Sequence, residues 1–140
     1  FLSEELGGID VPVTTVDETV NSLELDEVDF IKIDVEGGEL GVLQGATNTL
    51  ERHRPLLVFE VNVFCLWRYG RTLPQDLFAW VRERYPYTAV IDSNAEITHI
   101  EGDATVNHVL NLLGAGGSVI DVVASHEPID VTTDDLQSAL

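Results

Sequence analysis

The twelve-residue run from Asp29 to Leu40 constrains the fold of this chain more than any other stretch. It contains an apolar strand, two acidic residues, two glycines and the start of a helical pattern. In an open α/β sheet, strand ends and helix N-termini meet at one edge, and ligands bind there. The run therefore directs attention to Asp34 and Glu36, which follow the strand, and to Lys32, the only lysine in the chain.

Length and composition favour one globular domain. The chain has 140 residues, of which 44% are hydrophobic and 23% charged, as in ordinary soluble proteins that bury one core. No apolar run approaches the ~20 residues that cross a bilayer, and no signal-peptide pattern is present, so we expect a cytoplasmic protein. Because the chain begins at Phe1 and contains no methionine, we expect it to be a piece of a longer product.

The charge balance is strongly acidic, with 25 acidic residues against 7 basic ones and a net charge of -18. Such a surface repels nucleic acid and anionic membranes, so we expect neither as a partner. A dense carboxylate surface stays hydrated where salt screens its self-repulsion, which predicts a halophilic protein. A basic partner and simple drift are the alternatives. Since the acids are spread along the whole chain, they indicate an environment more than a site.

Hydrophobic periodicity and turn residues predict an α/β chain. The predicted strands are residues 11–16, 29–34, 56–61, 87–92, 96–100, 106–113 and a short segment at 119–123. The predicted helices are residues 18–24, 39–52 and 74–85, with a weak helical pattern at 133–140. An aromatic-rich loop is predicted at 62–73 and a glycine-rich linker at 114–118. We therefore assign residues 1–113 to the domain and residues 114–140 to a linker and a poorly ordered acidic tail.

Local signals refine these elements. Thr15 or Asp17 is expected to cap the first helix, because either side chain can accept a hydrogen bond from a first-turn amide. Glu39 is expected to supply a favourable negative charge at the start of the second helix. The uninterrupted apolar run at 56–61 predicts a strand covered on both faces, as in a parallel sheet. The turn at residues 93–94 is expected to join two strands in a hairpin.

Four ordered blocks of the sequence share the order and spacing of the motifs of one known family. The blocks are Val13-Thr14-Thr15-Val16-Asp17, the run Val28 to Gly37, Leu43-Gln44-Gly45-Ala46, and Arg54-Pro55 with Val58-Phe59-Glu60-Val61. They resemble the FkbM family of S-adenosylmethionine-dependent methyltransferases, in which a threonine-rich strand is followed by I-K-I-D-V-E-G-x-E and L-x-G-A. The resemblance covers roughly residues 11–113, and the stretch 107–110 is similar to the family's last block.

This resemblance implies a Rossmann-like class I methyltransferase sheet of seven strands. It further implies S-adenosylmethionine as cofactor and O-methylation of a hydroxyl on a small-molecule or glycan acceptor, such as a sugar, lipid or secondary metabolite. The family's glycine-rich cofactor loop and ribose-binding acid would precede Phe1, so the chain resembles the C-terminal part of the domain and is expected to be inactive alone. The alternatives are a non-catalytic interaction module and a metal-dependent hydrolase that uses Asp34 and Glu36.

Three predicted catalytic residues lie in the opening run. Methyl transfer to an alcohol needs a base for the hydroxyl proton, and we predict Asp34 as this base and as a cofactor-binding residue. The alternative is that Asp34 accepts hydrogen bonds from the amides of Gly37 and Gly38. Glu36 would bind cofactor, substrate or metal, or would only complete the loop. Lys32 would keep Asp34 ionised or orient substrate, or would be a buried lysine paired with an acid on a neighbouring strand.

The predicted substrate-binding residues are Glu60, Asn62, Trp67 and Arg68. Glu60 and Asn62 end the strand after the opening run, at the same edge of a parallel sheet. Trp67 and Arg68 would form a lid over the acceptor, unless Trp67 covers the core and Arg68 is a surface arginine. Two acids at one strand end also suit a hard cation such as Mg²⁺, but they do not define a metal site, and none is assigned. Cys65 is the only cysteine and is expected to be a buried, inert thiol.

Overall fold

A computed structural model describes residues 9–115 and 119–130 of the chain. These residues form one five-stranded sheet with helices, which confirms the α/β class. The strands are β1 (Phe30–Ile33), β2 (Leu56–Asn62), β3 (Tyr87–Ile91), β4 (Ile97–His99) and β5 (Val119–Ser125). The helices are α1 (Val16–Ser22), α2 (Glu39–Gln44), α3 (Thr47–His53), α4 (Val63–Cys65), a π-helix (Leu66–Gly70), α5 (Pro74–Arg82) and α6 (Asp103–Ala115). No helix in these two ranges is long and apolar enough to cross a membrane.

The sheet is mixed, with the strand order β1-β2-β5-β3-β4. Strands β1 and β2 are parallel, whereas β5 runs antiparallel to both of its neighbours, β2 and β3. It follows that β1, β2 and β3 all run in one direction. Their carboxyl ends therefore meet at one side of the sheet, which we call the carboxyl edge.

The helices pack against one face of the sheet. On β2, the side chains of Leu57, Phe59 and Val61 are fully buried, and the alternating residues between them are only half-buried. The buried side chains form one cluster with Ala46, which lies between α2 and α3, and with apolar residues of the helices, which are Leu43, Leu50, Leu66, Leu77, Phe78, Val81, Val106, Val109 and Leu113. The prediction that this strand is covered on both faces in a parallel sheet is therefore wrong, since β2 also pairs antiparallel with β5.

The chain start differs from the predicted strand at 11–16. Residues 9–15 have no regular secondary structure, and α1 begins at Val16. The reason is a capping box: the Thr15 hydroxyl accepts a hydrogen bond from the Glu18 amide at 3.1 Å, and the Glu18 carboxylate accepts one from the Thr15 amide at 2.9 Å. The prediction of Thr15 as the helix cap is confirmed.

The helix predicted over 39–52 is interrupted at residues 45–46, which separate α2 from α3. The Gly45 carbonyl accepts a hydrogen bond from the Asp17 amide at 3.0 Å instead of continuing the helix. The Asp17 carboxylate then accepts hydrogen bonds from the backbone amides of Asn48 at 3.0 Å and Thr49 at 2.8 Å, at the start of α3. Asp17 is thus a cap, but for a helix thirty residues away in sequence.

The prediction of a strand at 106–113 is wrong, because these residues belong to α6. Val106, Val109 and Leu113 are buried at spacings of three and four residues, which is the periodicity of a helix face. Apolar residues between them made the segment look like a continuous strand. The hairpin predicted around residues 93–94 is confirmed by the antiparallel pairing of β3 with β4.

The boundary predicted between residues 113 and 114 falls inside α6. The short strand predicted at 119–123 is longer, and as β5 it lies between β2 and β3 in the middle of the sheet. The assigned tail therefore contributes a central strand. The predicted helix at 133–140, residues 116–118 of the predicted linker, and residues 1–8 lie outside the described residues.

Asp17→Asn is expected to lower the free energy of unfolding by about 1–2 kcal/mol at pH 7, because it weakens the cap of α3. Burial raises the pKa of Asp17, but the hydrogen bonds from Thr49 and Asn48 outweigh burial and bring the pKa below its ordinary value. Stabilisation from a depressed carboxyl pKa is present above the unfolded-state pKa and is lost as the pH falls through the folded-state pKa.

The measurement is urea unfolding of both proteins at pH 7 and at about pH 3, where the difference should shrink. Asp26→Asn is the matched control, since Asp26 is exposed and the substitution removes the same charge. Equal destabilisation by the two substitutions would contradict the capping role.

Candidate functional site

Three carboxylates converge at the carboxyl edge. Asp34 and Glu36 follow the end of β1, and Glu60 lies near the end of the adjacent strand β2. One oxygen from each carboxylate lies within 4.8 Å of the other two. We call Asp34, Glu36 and Glu60 the acidic cluster; the structure thus brings together residues that the sequence predicted from two separate motifs.

Lys32 lies beside the acidic cluster. Its Nζ atom is 3.7 Å from the Asp34 carboxylate, and the two side chains are 58% and 46% exposed. The alternative of a buried lysine paired with an acid on a neighbouring strand is therefore wrong. An ion pair this exposed contributes little to stability, so its main effect is a positive charge next to Asp34.

The Asp34 carboxylate accepts no hydrogen bond from the amides of Gly37 and Gly38 in the turn that follows it. The Gly37 amide donates to Glu39 Oε1 at 3.0 Å, and the Gly38 amide donates to the Val35 carbonyl at 3.4 Å. The alternative that Asp34 accepts the amides of this turn is therefore wrong. Its side chain is exposed at the carboxyl edge with Lys32 as its partner.

A close backbone contact holds Glu36 in place. Glu36 and Gly37 both have positive φ angles, of 51° and 106°. A Cβ atom on Gly37 would overlap the carbonyl of Cys65, and a Cβ atom on Gly70 would overlap the carbonyl of Gly37. The turn at 36–38 is thus packed directly on the helical segment 63–70. The Cys65 thiol also donates a hydrogen bond to Glu36 Oε2 at 3.0 Å, so Glu36 does more than complete the loop.

The segment predicted as a loop at 62–73 is mostly helical. Asn62 Oδ1 accepts the Cys65 amide at 3.2 Å and caps α4, which continues into the π-helix. Single π-helical turns occur frequently at functional sites. Trp67 and Arg68 lie exposed on this turn. Trp67 is 67% exposed, so the alternative that it covers the core is wrong, whereas the exposure of Arg68 agrees with the alternative of a surface arginine. The Arg68 guanidinium lies 5.5 Å from the Tyr69 ring.

Negative charge accumulates around Glu60. Burial raises the pKa of Glu60, and the charges of Asp34, Glu36, Asp121 and Glu39 raise it further. Asp121 lies directly opposite Glu60 in the pairing of β2 with β5. The carboxyl edge is therefore a region of negative potential that lacks a matching number of cations among the described residues.

The Cys65 thiol responds to the same charges. The hydrogen bond to Glu36, then burial, then the charges of Glu36, Glu39 and Glu60 raise the pKa of Cys65 to about 11. Cys65 is buried, as predicted, and at neutral pH it stays protonated as a hydrogen-bond donor.

The sequence predictions missed two of these residues. Asp121 lies in the short strand predicted at 119–123 within the tail, and no site role is predicted for it; the buried alternation of Ile120, Val122 and Ala124 is the pattern of a strand with one face in the core. Glu39 was predicted only as a helix N-terminal charge. It does lie in the first turn of α2, but its side chain is 2% exposed, and nothing in the local sequence indicates that burial.

Comparison with known proteins identifies one family. The family model for the methyltransferase FkbM domain matches residues 1–87. No curated protein and no solved structure matches the chain. The matched region contains the whole acidic cluster, Lys32 and the helical segment 63–70, whereas Asp121 lies outside it.

Glu60→Gln is expected to raise the free energy of unfolding by about 0.2–1 kcal/mol at pH 7, because it removes repulsion from the directly opposite Asp121. A carboxyl group with a raised folded-state pKa contributes stability below its unfolded-state pKa, and this is lost as the pH rises through the folded-state pKa. The two proteins should therefore differ at neutral pH and converge at about pH 4.

Urea unfolding at both pH values measures the difference. Glu101→Gln serves as the control, since Glu101 is exposed and the substitution changes the net charge equally. If both substitutions raised the free energy of unfolding by the same amount, local repulsion at Glu60 would not be the cause.

Proposed function

The chain belongs to the FkbM methyltransferase family, and on this basis we propose that it transfers a methyl group from S-adenosylmethionine to a hydroxyl group. The acceptor is proposed to be a sugar, a lipid or a secondary metabolite. The observation that carries the proposal is the family match over the segment that forms the acidic cluster. Family membership favours methyl transfer over a non-catalytic interaction module and over a metal-dependent hydrolase.

The five-stranded sheet is compatible with this proposal. Its parallel strands β1 and β2 are connected through α2 and α3, as in a Rossmann-like crossover. We propose that these strands belong to a Rossmann-like methyltransferase sheet. Ligands of such sheets bind beyond the carboxyl ends of the strands, which is where the acidic cluster lies.

The charge at the carboxyl edge fits the cofactor. Bound S-adenosylmethionine supplies an electrophilic methyl group on a positively charged sulfonium. Asp34 is exposed, accepts no turn amide and has one cationic partner, so its carboxylate can face that positive charge. Asp34 is therefore the proposed cofactor-binding residue on this side of the site.

The hydroxyl proton of the acceptor has to be removed as its oxygen bonds to the methyl carbon. We propose that Asp34 takes this proton, with Lys32 Nζ 3.7 Å from its carboxylate and Glu36 beside it. Glu60 is a second candidate, because its raised pKa brings it closer to neutrality, where a base is most effective. The pH–rate profiles of Asp34→Asn and Glu60→Gln, measured separately, would distinguish these two assignments.

The helical segment 63–70 is the proposed acceptor surface. Phe64, Trp67 and Tyr69 are each more than half exposed, and Phe64 and Tyr69 meet edge to face at 6.3 Å between ring centroids. Exposed aromatic faces beside polar groups suit a sugar or another partly apolar acceptor. Trp67 and Arg68 would then contact the acceptor, with Glu60 and Asn62 at its base.

The test is calorimetric titration of S-adenosylhomocysteine and S-adenosylmethionine into the complete gene product and into the 140-residue chain. The gene product is expected to bind both. The chain alone is expected to bind weakly, because its sequence has no G-x-G-x-x-G turn after an early strand to offer amides to the cofactor. A gene product that binds neither ligand would contradict the methyltransferase proposal.

Asp34→Asn tests the assigned residue. It should weaken binding of S-adenosylmethionine by ~10-fold and that of the neutral S-adenosylhomocysteine much less, because only the former carries the sulfonium charge. Asp26→Asn is the control for net charge. Equal effects of the two substitutions on both ligands would remove Asp34 from the cofactor site without affecting the family assignment.

A further inference from the structure

We propose that a pocket at the edge of the sheet opposite the acidic cluster binds the phosphate group of a small ligand. The pocket has a volume of about 240 Å³ and is lined by Leu50, Glu51, Arg54, Arg84, Tyr85 and His126. The chain has only 7 lysines and arginines against 25 acidic residues, yet two of its arginines and one of its four histidines line this pocket. We call it the amino-edge pocket.

The topology of the sheet brings these groups together. Arg54 precedes β2, Tyr85 precedes β3, and His126 follows β5, which runs antiparallel to both of these strands. The three residues therefore lie at the amino ends of β2 and β3. The β2 segment 56–60 spans roughly 13 Å, at about 3.3 Å per residue, and separates the pocket from the acidic cluster. The amino-edge pocket thus lies outside the site proposed for methyl transfer, and ligand binding there goes beyond that function.

Tyr85 holds the walls of the pocket in place. Its side chain is buried, and its hydroxyl donates a hydrogen bond to the Pro55 carbonyl at 3.2 Å, which joins the start of β3 to the start of β2. The His126 ring packs on the Tyr85 ring, with 4.7 Å between the centroids. The pocket is therefore formed before a ligand enters, which lowers the ordering cost of binding.

Arg84 has hydrogen-bond donors left for a ligand. Its guanidinium carbon lies 3.9 Å from the centroid of the Trp80 ring, and Nη1 donates to the Trp80 carbonyl at 3.0 Å and to the Glu83 carboxylate at 3.3 Å. Nη2 donates to no described residue, and the buried Nε has no partner among them. The ring contact thus orients the guanidinium while donors stay unpaired, and phosphate oxygens match its planar fork.

Arg54 supplies a second permanent positive charge. Its side chain is exposed, and none of the described carboxylates lies within ion-pair distance of its guanidinium. Burial lowers the pKa of His126 and the Arg54 charge lowers it further, against the opposite effect of Glu127. The imidazole is therefore neutral at about pH 7.5 and offers one N–H donor, so the positive charge of the lining comes from the two arginines.

The balance of charge in the lining favours a dianion. The two arginine charges exceed the single charge of Glu51, the one acid of the lining. A phosphate monoester carries a charge of about −1.5 to −2 at pH 7, whereas a carboxylate carries one negative charge. Arg54 and Arg84 also follow the C-terminal ends of α3 and α5, where positive charge is favourable without a ligand. A loss of stability alone would therefore not test the proposal.

The experiment is calorimetric titration of sodium phosphate and, separately, sodium acetate into the protein at about pH 7.5 and constant ionic strength. One saturable site for phosphate is expected, with acetate bound at least ~10-fold more weakly. Absence of a saturable phosphate site, or acetate bound as tightly as phosphate, would overturn the proposal. Glycerol phosphate, titrated in parallel, distinguishes the source: tighter binding than inorganic phosphate assigns a phosphate monoester, and weaker binding assigns the free ion.

Three variants separate binding from structure. Arg54→Gln should weaken phosphate binding by at least ~10-fold. Arg52→Gln is the matched control, because Arg52 is exposed two residues away, lies outside the lining and loses the same charge; its affinity should stay within ~2-fold of the wild type. Glu51→Gln should tighten binding by ~2–5-fold, because it removes the one negative charge of the lining. Equal affinities of Arg54→Gln and Arg52→Gln would overturn the proposal.

Folding and location are checked independently. Circular dichroism in phosphate-free buffer verifies that each variant is folded; if Arg54→Gln is not, unchanged or weaker binding by Glu51→Gln overturns the proposal. In proton magnetic resonance spectra, phosphate should shift the ring signals of His126, assigned with His126→Gln, and leave those of His108, exposed on α6, in place. Equal shifts of both histidines would show that phosphate binds without a site and would contradict the proposal.

Discussion

The close backbone contact between the turn at 36–38 and the helical segment 63–70 is the constraint on which the carboxyl edge depends. Gly37 and Gly70 approach so closely that neither position has room for a Cβ atom. This contact, with the thiol hydrogen bond from Cys65, holds Glu36 against the strand that carries Glu60. Because the turn and the helical segment follow adjacent parallel strands, this contact and the pairing of β1 with β2 together set the positions of the three carboxylates.

The resulting charge distribution is unfavourable for folding. Asp121 lies opposite Glu60, and the buried Glu39 adds a further negative charge that acts on Glu60, so like charges are concentrated where no stability is gained. The positively charged sulfonium of the proposed cofactor would offset this repulsion.

Local patterns predicted the positions of the residues at the carboxyl edge better than they predicted the sheet. The strand exit with Asp34 and Glu36, the next strand with Glu60, and the hairpin all follow from short-range signals that the structure confirms. The break between α2 and α3 does not, because it depends on Asp17, which bonds to residues about thirty positions away. Likewise, the run 106–113 is apolar enough to suit either a strand or a helix, and packing against the sheet decides between them. The π-helix lies in contact with Gly37 through Gly70, and no local pattern reveals this contact.

The most direct test of this account compares two glycine substitutions in binding of S-adenosylhomocysteine by the complete gene product. Gly37→Ala should disturb the contact with Cys65 and weaken binding by at least ~10-fold. Gly41→Ala, in the same segment with open space around it, should bind like the wild type and be slightly more stable, by about 0.5–1 kcal/mol. Circular dichroism at the titration temperature verifies that both variants are folded. Wild-type affinity in a folded Gly37→Ala variant would contradict the claim that this contact builds the functional site.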